Sequence, residues 1–208
     1  MLLNIVVAVL VGYLLGNLNG AVSMSVLVGK EDVRSKGSGN AGLTNFVRNY
    51  GGANAIAVVL IDAGKAVISC LAGGLLLEGY GLYREGLMLG GTAVMLGHIF
   101  PVLLGFRGGK GILSGLFVAL MVDWRVAVAI LAVFVVVYLI SGYVSLSSIL
   151  AAAGFGAGFA LLHWGNWLIV ICGVAMGALA IFMHRSNIRR LCNGTESKTN
   201  LFKKGKTQ

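Results

Sequence analysis

Residues 105–111 read GFRGGKG, four glycines and two cations inside an otherwise apolar chain. The stretch suits an anion. Gly108, Gly109 and Gly111 let backbone approach a ligand closely, and Lys110 brings a mobile positive charge. A helix starting just after it would add a positive dipole end. It is not a Walker loop, because position 104 is Leu and Gly111 follows Lys110. A charged loop that only fixes orientation explains Arg107 equally well, but it explains a lysine between glycines poorly.

Two more polar islands interrupt the apolar sequence. Residues 34–48, RSKGSGNAGLTNFVR, combine Gly37, Gly39 and Gly42 with neutral donors on Ser38, Asn40, Thr44 and Asn45. Backbone N–H groups in such a loop form an anion-binding nest, and Arg48 can clamp a phosphate with two parallel hydrogen bonds. The competing reading is a helix start with turn glycines and Thr44 as the cap. Residues 184–196, HRSNIRRLCNGTE, follow the last apolar run. His184 and Asn187, three apart, share a helix face, and His184 is a candidate proton carrier or phosphate ligand. A juxtamembrane basic patch accounts well for Arg189 and Arg190. Glu196 is expected to pair with a nearby cation and hold the tail, a structural role.

The elements that must position these islands are apolar helices. The 208 residues are 58% hydrophobic and only 11% charged, with a mean hydropathy of +0.91, against about 25% charged residues in soluble domains. The fold class is therefore all-α, a polytopic integral membrane protein. Strand-like alternation is absent, which argues against a β-barrel. The first segment has no basic n-region, so it reads as a retained helix. Apolar runs predict about seven transmembrane helices near 3–28, 53–77, 86–104, 112–122, 126–141, 145–162 and 167–183. The run 112–122 is short, since eleven helical residues rise only about 16 Å. Cys70, Cys172 and Cys192 form no spaced set, so neither a disulfide nor a metal site is expected. Residues 1–196 read as one domain, and 197–208 as a basic, flexible cytoplasmic tail.

With seven crossings the loops divide unevenly. Lys30, Arg34, Lys36, Arg48, Arg107, Lys110, Arg185, Arg189, Arg190, Lys198, Lys203, Lys204 and Lys206 fall on one side, 13 of the 16 cations. The other side carries only Arg84 and Arg125. The positive-inside rule makes the first side cytoplasmic, with the N-terminus outside and the C-terminus cytoplasmic. His163, Trp164 and Trp167 read as anchors at the outer interface. All three islands then converge on one leaflet, as a pocket for phosphate-bearing ligands beside lipid.

On GSGNAGLTNFVR at 37–48, GHIFPVLLGFRGGKG at 97–111 and HRSNIRRLCNGTE at 184–196, the chain resembles the bacterial acyl-phosphate:glycerol-3-phosphate acyltransferases over nearly its whole length. Leu43 stands where the family more often has a smaller residue, and Arg107 where lysine is common. The resemblance implies a seven-helix fold in the bacterial cytoplasmic membrane. It implies transfer of an acyl group from acyl phosphate to glycerol 3-phosphate, giving lysophosphatidic acid. It implies that Ser38 and Arg48 matter for activity, that Lys110 and its glycines bind glycerol 3-phosphate, that His184 and Asn187 belong to the active site, and that Glu196 is structural. No cofactor, metal, nucleic acid or obligate protein partner is implied; the partners are the two substrates and bilayer lipid.

The chemistry fits that reading. An acyl phosphate is an activated mixed anhydride. The enzyme need only align a hydroxyl with the carbonyl and stabilise negative charge on the carbonyl oxygen and the departing phosphate. No Ser-His-Asp set or G-x-S-x-G is evident. The base is open between His184 and a substrate phosphate oxygen, whose second pKa lies near about 6. His98 reads as a supporting residue near the site. Asp62 and Lys65, mid-helix and three apart, read as a buried ion pair outside the site. The rival classes are a transporter or channel for an organic anion and a lipid-binding structural protein. Glycine-broken helices suit transporters, but polar islands crowded into one leaflet do not.

Overall fold

The computed structural model describes residues 1–29 and 31–198, and every regular element among them is helical. The helices are α1 (Leu2–Gly16), α2 (Gly20–Gly29), α3 (Leu43–Tyr50), α4 (Ala55–Glu78), α5 (Tyr83–Ile99), α6 (Ile112–Val122), α7 (Trp124–Ser141), α8 (Val144–Leu162), α9 (Trp167–Met183) and α10 (Arg185–Cys192). Among the described residues five stretches are long and apolar enough to span a bilayer, six if α9 and α10, bent by 55° at His184, count as one. The remaining expected span, α6, has only eleven residues. Lys30 and the tail cations Lys203, Lys204 and Lys206 lie outside the described residues.

The expected first helix, 3–28, is in fact broken at Asn17–Asn19. Asparagine side chains replace the missing backbone bonds there. Asn17 Nδ2 donates to Tyr13 O at 2.7 Å, and its Oδ1 accepts from Leu103 N–H at 3.0 Å. Asn19 Oδ1 accepts from Val22 N–H at 3.0 Å. The single proline, Pro101, follows the end of α5, where it cannot continue the helix.

Without a hydrophobic drive between lipid-bathed helices, close backbone packing holds the bundle together. A Cβ on Gly73 or Gly86 would collide with the other's backbone across α4 and α5. Gly97 of α5 sits equally tightly against Tyr13 O and Gly16 of α1. One apolar core, with Cys70, Val94, Val118, Phe155, Phe159 and Met176 among its members, joins α4 and α5 to α6, α7, α8 and α9.

The polar groups sort to the two ends. At one end the N-terminal amine donates to Tyr80 Oη at 2.8 Å, Asn166 Nδ2 donates to Glu85 at 2.6 Å, and His163 Nε2 lies 3.0 Å from Asp123. His163 is therefore a buried partner of Asp123 instead of an interfacial anchor, while Trp164 and Trp167 are exposed. At the opposite end lie all three islands, and there Arg48 donates to Ser197 O at 3.4 Å. Helix α6 connects the two ends in about 16 Å of rise, so Lys110 before it and Asp123 after it are both drawn into the bundle.

Candidate active site

The site forms where three loops meet over a cavity of about 330 Å³. Its polar wall includes Ser38, Asn40, Thr44, Arg48, Lys110, His184, Asn187 and Glu196. Its apolar wall, from Ile130, Phe134, Phe155 and Met176, runs between α7, α8 and α9.

The first loop is built around Asn45. Its amide nitrogen lies 3.0, 3.1 and 3.1 Å from the carbonyls of Val33, Lys36 and Asn40, and its Oδ1 accepts from Ser38 N–H at 3.0 Å. Gly37 and Gly39 take the left-handed backbone that this tight turn requires, at φ +56° and +68°. The expected nest is corrected in part. Ser38 N–H is spent on Asn45, and Gly39 N–H on Lys36 O at 3.0 Å. Asn45 staples the loop, so its amide is not a spare donor. The cap of α3 is Gly42, without a side-chain bond, so Thr44 does not cap it and instead faces the cavity. The start of α3 brings its positive dipole end to the same wall.

The second loop shows a similar correction. Gly108 and Gly109 N–H donate back to Ile99 O and His98 O at 3.2 and 3.0 Å. Neither glycine lines the cavity. A Cβ on Gly108 would strike His98 O and come within 2.7 Å of Pro101, and one on Gly109 would strike His98 Nε2 and come within 2.8 Å of Ala41 O. Their role is to fold the loop against α5 so that Lys110 points inward; Gly111, at φ +81°, turns the chain into α6. Lys110 Nζ donates to Asn187 Oδ1. Its pKa is pushed down to about 8, by burial first and then by the charges of Arg190 and Arg48, with Glu196 opposing. A cation held that unwillingly is poised to accept an anion.

Around the bend after Met183 the third island supplies the opposite wall. Lysine only donates and a carboxylate only accepts, which fixes the Asn187 amide: Oδ1 toward Lys110, and Nδ2 donating to Glu196 at 2.8 Å. Glu196 also takes Arg190 Nε at 2.6 Å. Burial works to raise the Glu196 carboxyl, but bonds from Asn187 and Arg190 outweigh it and leave it below the usual range. His184 Nδ1 lies 2.8 Å from Ala180 O, a pure acceptor, so Nδ1 carries the proton and Nε2 keeps its lone pair. Its pKa is pushed down to about 4 by burial and by Lys110, with the Ala180 bond opposing. The ring is neutral at pH 7.

Sequence reasoning missed two contributors. Arg34, bound to Asp32 at 2.7 Å, reaches across to Leu104 O and Arg107 O at 2.7 and 3.0 Å and clasps the first loop to the second. Nothing in its local sequence distinguishes it from other basic residues. Asp62 and Lys65, left outside the site, do form the ion pair, at 2.7 Å, but Asp62 reaches the cavity wall, as does His98, expected near the site. The place of Asp62 and Lys65 in the middle of an apolar run was the available signal.

The family model described as glycerol-3-phosphate acyltransferase matches residues 6–194. A glycerol-3-phosphate acyltransferase of Thermoanaerobacter pseudethanolicus is 40% identical over 193 residues, covering 93% of this chain and 94% of that protein. One from a Synechococcus species is 39% identical over 208 residues, covering all of both chains. The solved structure of PlsY (YgiH), an integral membrane glycerol 3-phosphate acyltransferase, in its glycerol 3-phosphate form, superposes with a TM-score of 0.85 at 33% identity, over 96% of this chain and 99% of that one. Its lysophosphatidic acid form gives 0.80 at 32% identity, over 95% and 96%.

Proposed function

The chain belongs to the glycerol-3-phosphate acyltransferase family, and from that premise we propose how this cavity carries out the transfer. The protein is a membrane-embedded acyltransferase that converts glycerol 3-phosphate to lysophosphatidic acid. The donor is an acyl phosphate, its chain lying along the apolar wall and its mixed anhydride at the polar end. The observation that carries this reading is the cavity's division into a cationic rim at Lys110 and Arg48 and an apolar extension along α7 to α9.

Lys110 and the first turn of α3 hold the phosphate of glycerol 3-phosphate. Arg48, with Ser38, receives the departing phosphate. The substrate hydroxyl attacks the acyl carbon, a carbon–oxygen bond forms, and the bond to the phosphate oxygen breaks. The hydroxyl proton leaves with a phosphate oxygen or passes to His184 Nε2. Asn187 and Glu196 hold Lys110 in place. No covalent enzyme intermediate and no cofactor takes part.

The membrane is the bacterial cytoplasmic one, crossed seven times if α6 is counted, with the N-terminus outside and the site and C-terminus on the cytoplasmic side. The concentration of cations at the site's end supports that orientation. Residues 1–196 act as one catalytic unit.

The test is the purified protein in detergent, mixed with acyl phosphate and glycerol 3-phosphate. Release of inorganic phosphate and appearance of lysophosphatidic acid, without a second compartment, is the expected result. Turnover with an acyl thioester but not with acyl phosphate would overturn the donor. No turnover at all would favour an organic-anion carrier.

A further inference from the structure

The structure assigns His98 as a neutral hydrogen-bond donor to the phosphate of glycerol 3-phosphate, held in that state by the buried Lys65–Asp62 pair. The inference deepens the proposed function and rests on it.

His98 is only 4% exposed, yet it belongs to the cavity wall together with Ser38 and Lys110. Its Nδ1 lies 2.8 Å from Lys65 Nζ. Lys65 in turn pairs with Asp62 at 2.7 Å and donates to the carbonyls of Gly16, at 3.3 Å, and Leu18. Those carbonyls are free to accept because the chain is unwound between α1 and α2. An ammonium has donors and no acceptor, so Nδ1 must accept. The ring proton therefore sits on Nε2. Among the described residues Nε2 makes no hydrogen bond.

A ring N–H that makes no hydrogen bond within the protein is a donor left for a ligand. Here the ring edge that carries Nε2 faces Gly109, the residue before Lys110, where even a methyl group would collide with it. The glycine thus lets the loop pack closely on the ring and brings Lys110, which faces the cavity, next to it. A phosphate oxygen on Lys110 supplies the missing acceptor. The donor adds directional selection for phosphate without adding a second charge beside Lys110, which already resists its own.

Two isosteric changes separate this role from a merely structural one. In His98→Asn, Oδ1 still accepts from Lys65, but no donor reaches the ε position. In His98→Gln, a donor occupies the ε position, but the acceptor for Lys65 is lost. Both are measured in detergent for glycerol 3-phosphate Kd and for KM of each substrate. The expected order is a rise of about ten- to hundredfold in glycerol 3-phosphate Kd for His98→Asn and a rise of less than about fivefold for His98→Gln, with the acyl phosphate KM nearly unchanged in both. The opposite order, with His98→Gln the more damaged, would make His98 a support for Lys65 and overturn the assignment. Equal Kd in the two variants, or a change confined to acyl phosphate, would also overturn it. Wild-type protein that binds no glycerol 3-phosphate would sink the proposed function itself, and the His98 assignment with it.

Discussion

The strongest expectation concerns Lys110 and pH. Its ammonium ordinarily loses its proton near 10.5, and here it does so near about 8. That displacement of about 2.5 pH units, at about 1.36 kcal/mol each, means the empty site holds the charge at a disadvantage of about 3 kcal/mol. An anion that neutralises it can recover up to that amount, about two decades in binding. A charge-assisted hydrogen bond, at about 1.5–3 kcal/mol, gives the same scale. kcat/KM for glycerol 3-phosphate reports the free enzyme and free substrate. It should rise as the substrate phosphate ionises near about 6, hold, and then fall above about 8 as Lys110 becomes neutral. One pH unit above that point only about one-tenth of the enzyme is charged, so the loss there is about tenfold. Lys110→Ala should lower the plateau by about 10- to 150-fold and abolish the alkaline limb. Lys110→Arg should move that limb beyond the measurable range. The sign for stability is opposite. The folded pKa lies below the unfolded one, so the unfolded chain binds more protons between about 8 and 10.5, and stability should increase with pH across that window. Lys110→Ala should therefore melt no lower than wild type at pH 7. An alkaline limb that persists with the same midpoint in Lys110→Ala would show that some other group titrates there, and the electrostatic account of this lysine would fail.

Three further expectations follow from the same geometry. Arg48→Lys keeps the charge but loses the planar fork, and kcat should fall about tenfold or more; near-normal turnover would reduce Arg48 to a tail contact at Ser197. Gly109→Ala forces a methyl group onto His98 Nε2 and Ala41 O, so a folded protein with glycerol 3-phosphate KM raised at least about tenfold is expected, and an unchanged KM would mean that this packing does not position Lys110. In His184→Gln the acid limb near about 6 should persist, because the histidine itself titrates near about 4. Disappearance of that limb, with a rate loss of about 10²–10⁴-fold, would assign the base to His184 and remove the substrate phosphate from that role.

Much of the fold was legible in the sequence because its causes are local. Apolar runs bounded by charged loops dictate spanning helices in lipid, where every backbone group must be satisfied within its own segment. Pro101 marks a helix end wherever it occurs. The break at Asn17–Asn19 was not legible, because two asparagines in an apolar run acquire meaning only from the partners that accept and donate to them, Leu103 and Tyr13 among these. The residue types of the site could also be read locally, as glycine, arginine, lysine and histidine grouped for phosphate. Their division of labour could not. Only the folded chain shows that Asn45, Gly108 and Gly109 serve to shape loops while Lys110, Asn187 and Glu196 form one hydrogen-bonded row across 77 and 9 positions of sequence. Sequence determined where polar groups interrupt the apolar chain, since hydration and chain geometry act on neighbours. Tertiary structure decided which N–H groups are already spent and which side chains face the cavity, because hydrogen-bond partners and burial are set by segments far apart along the chain.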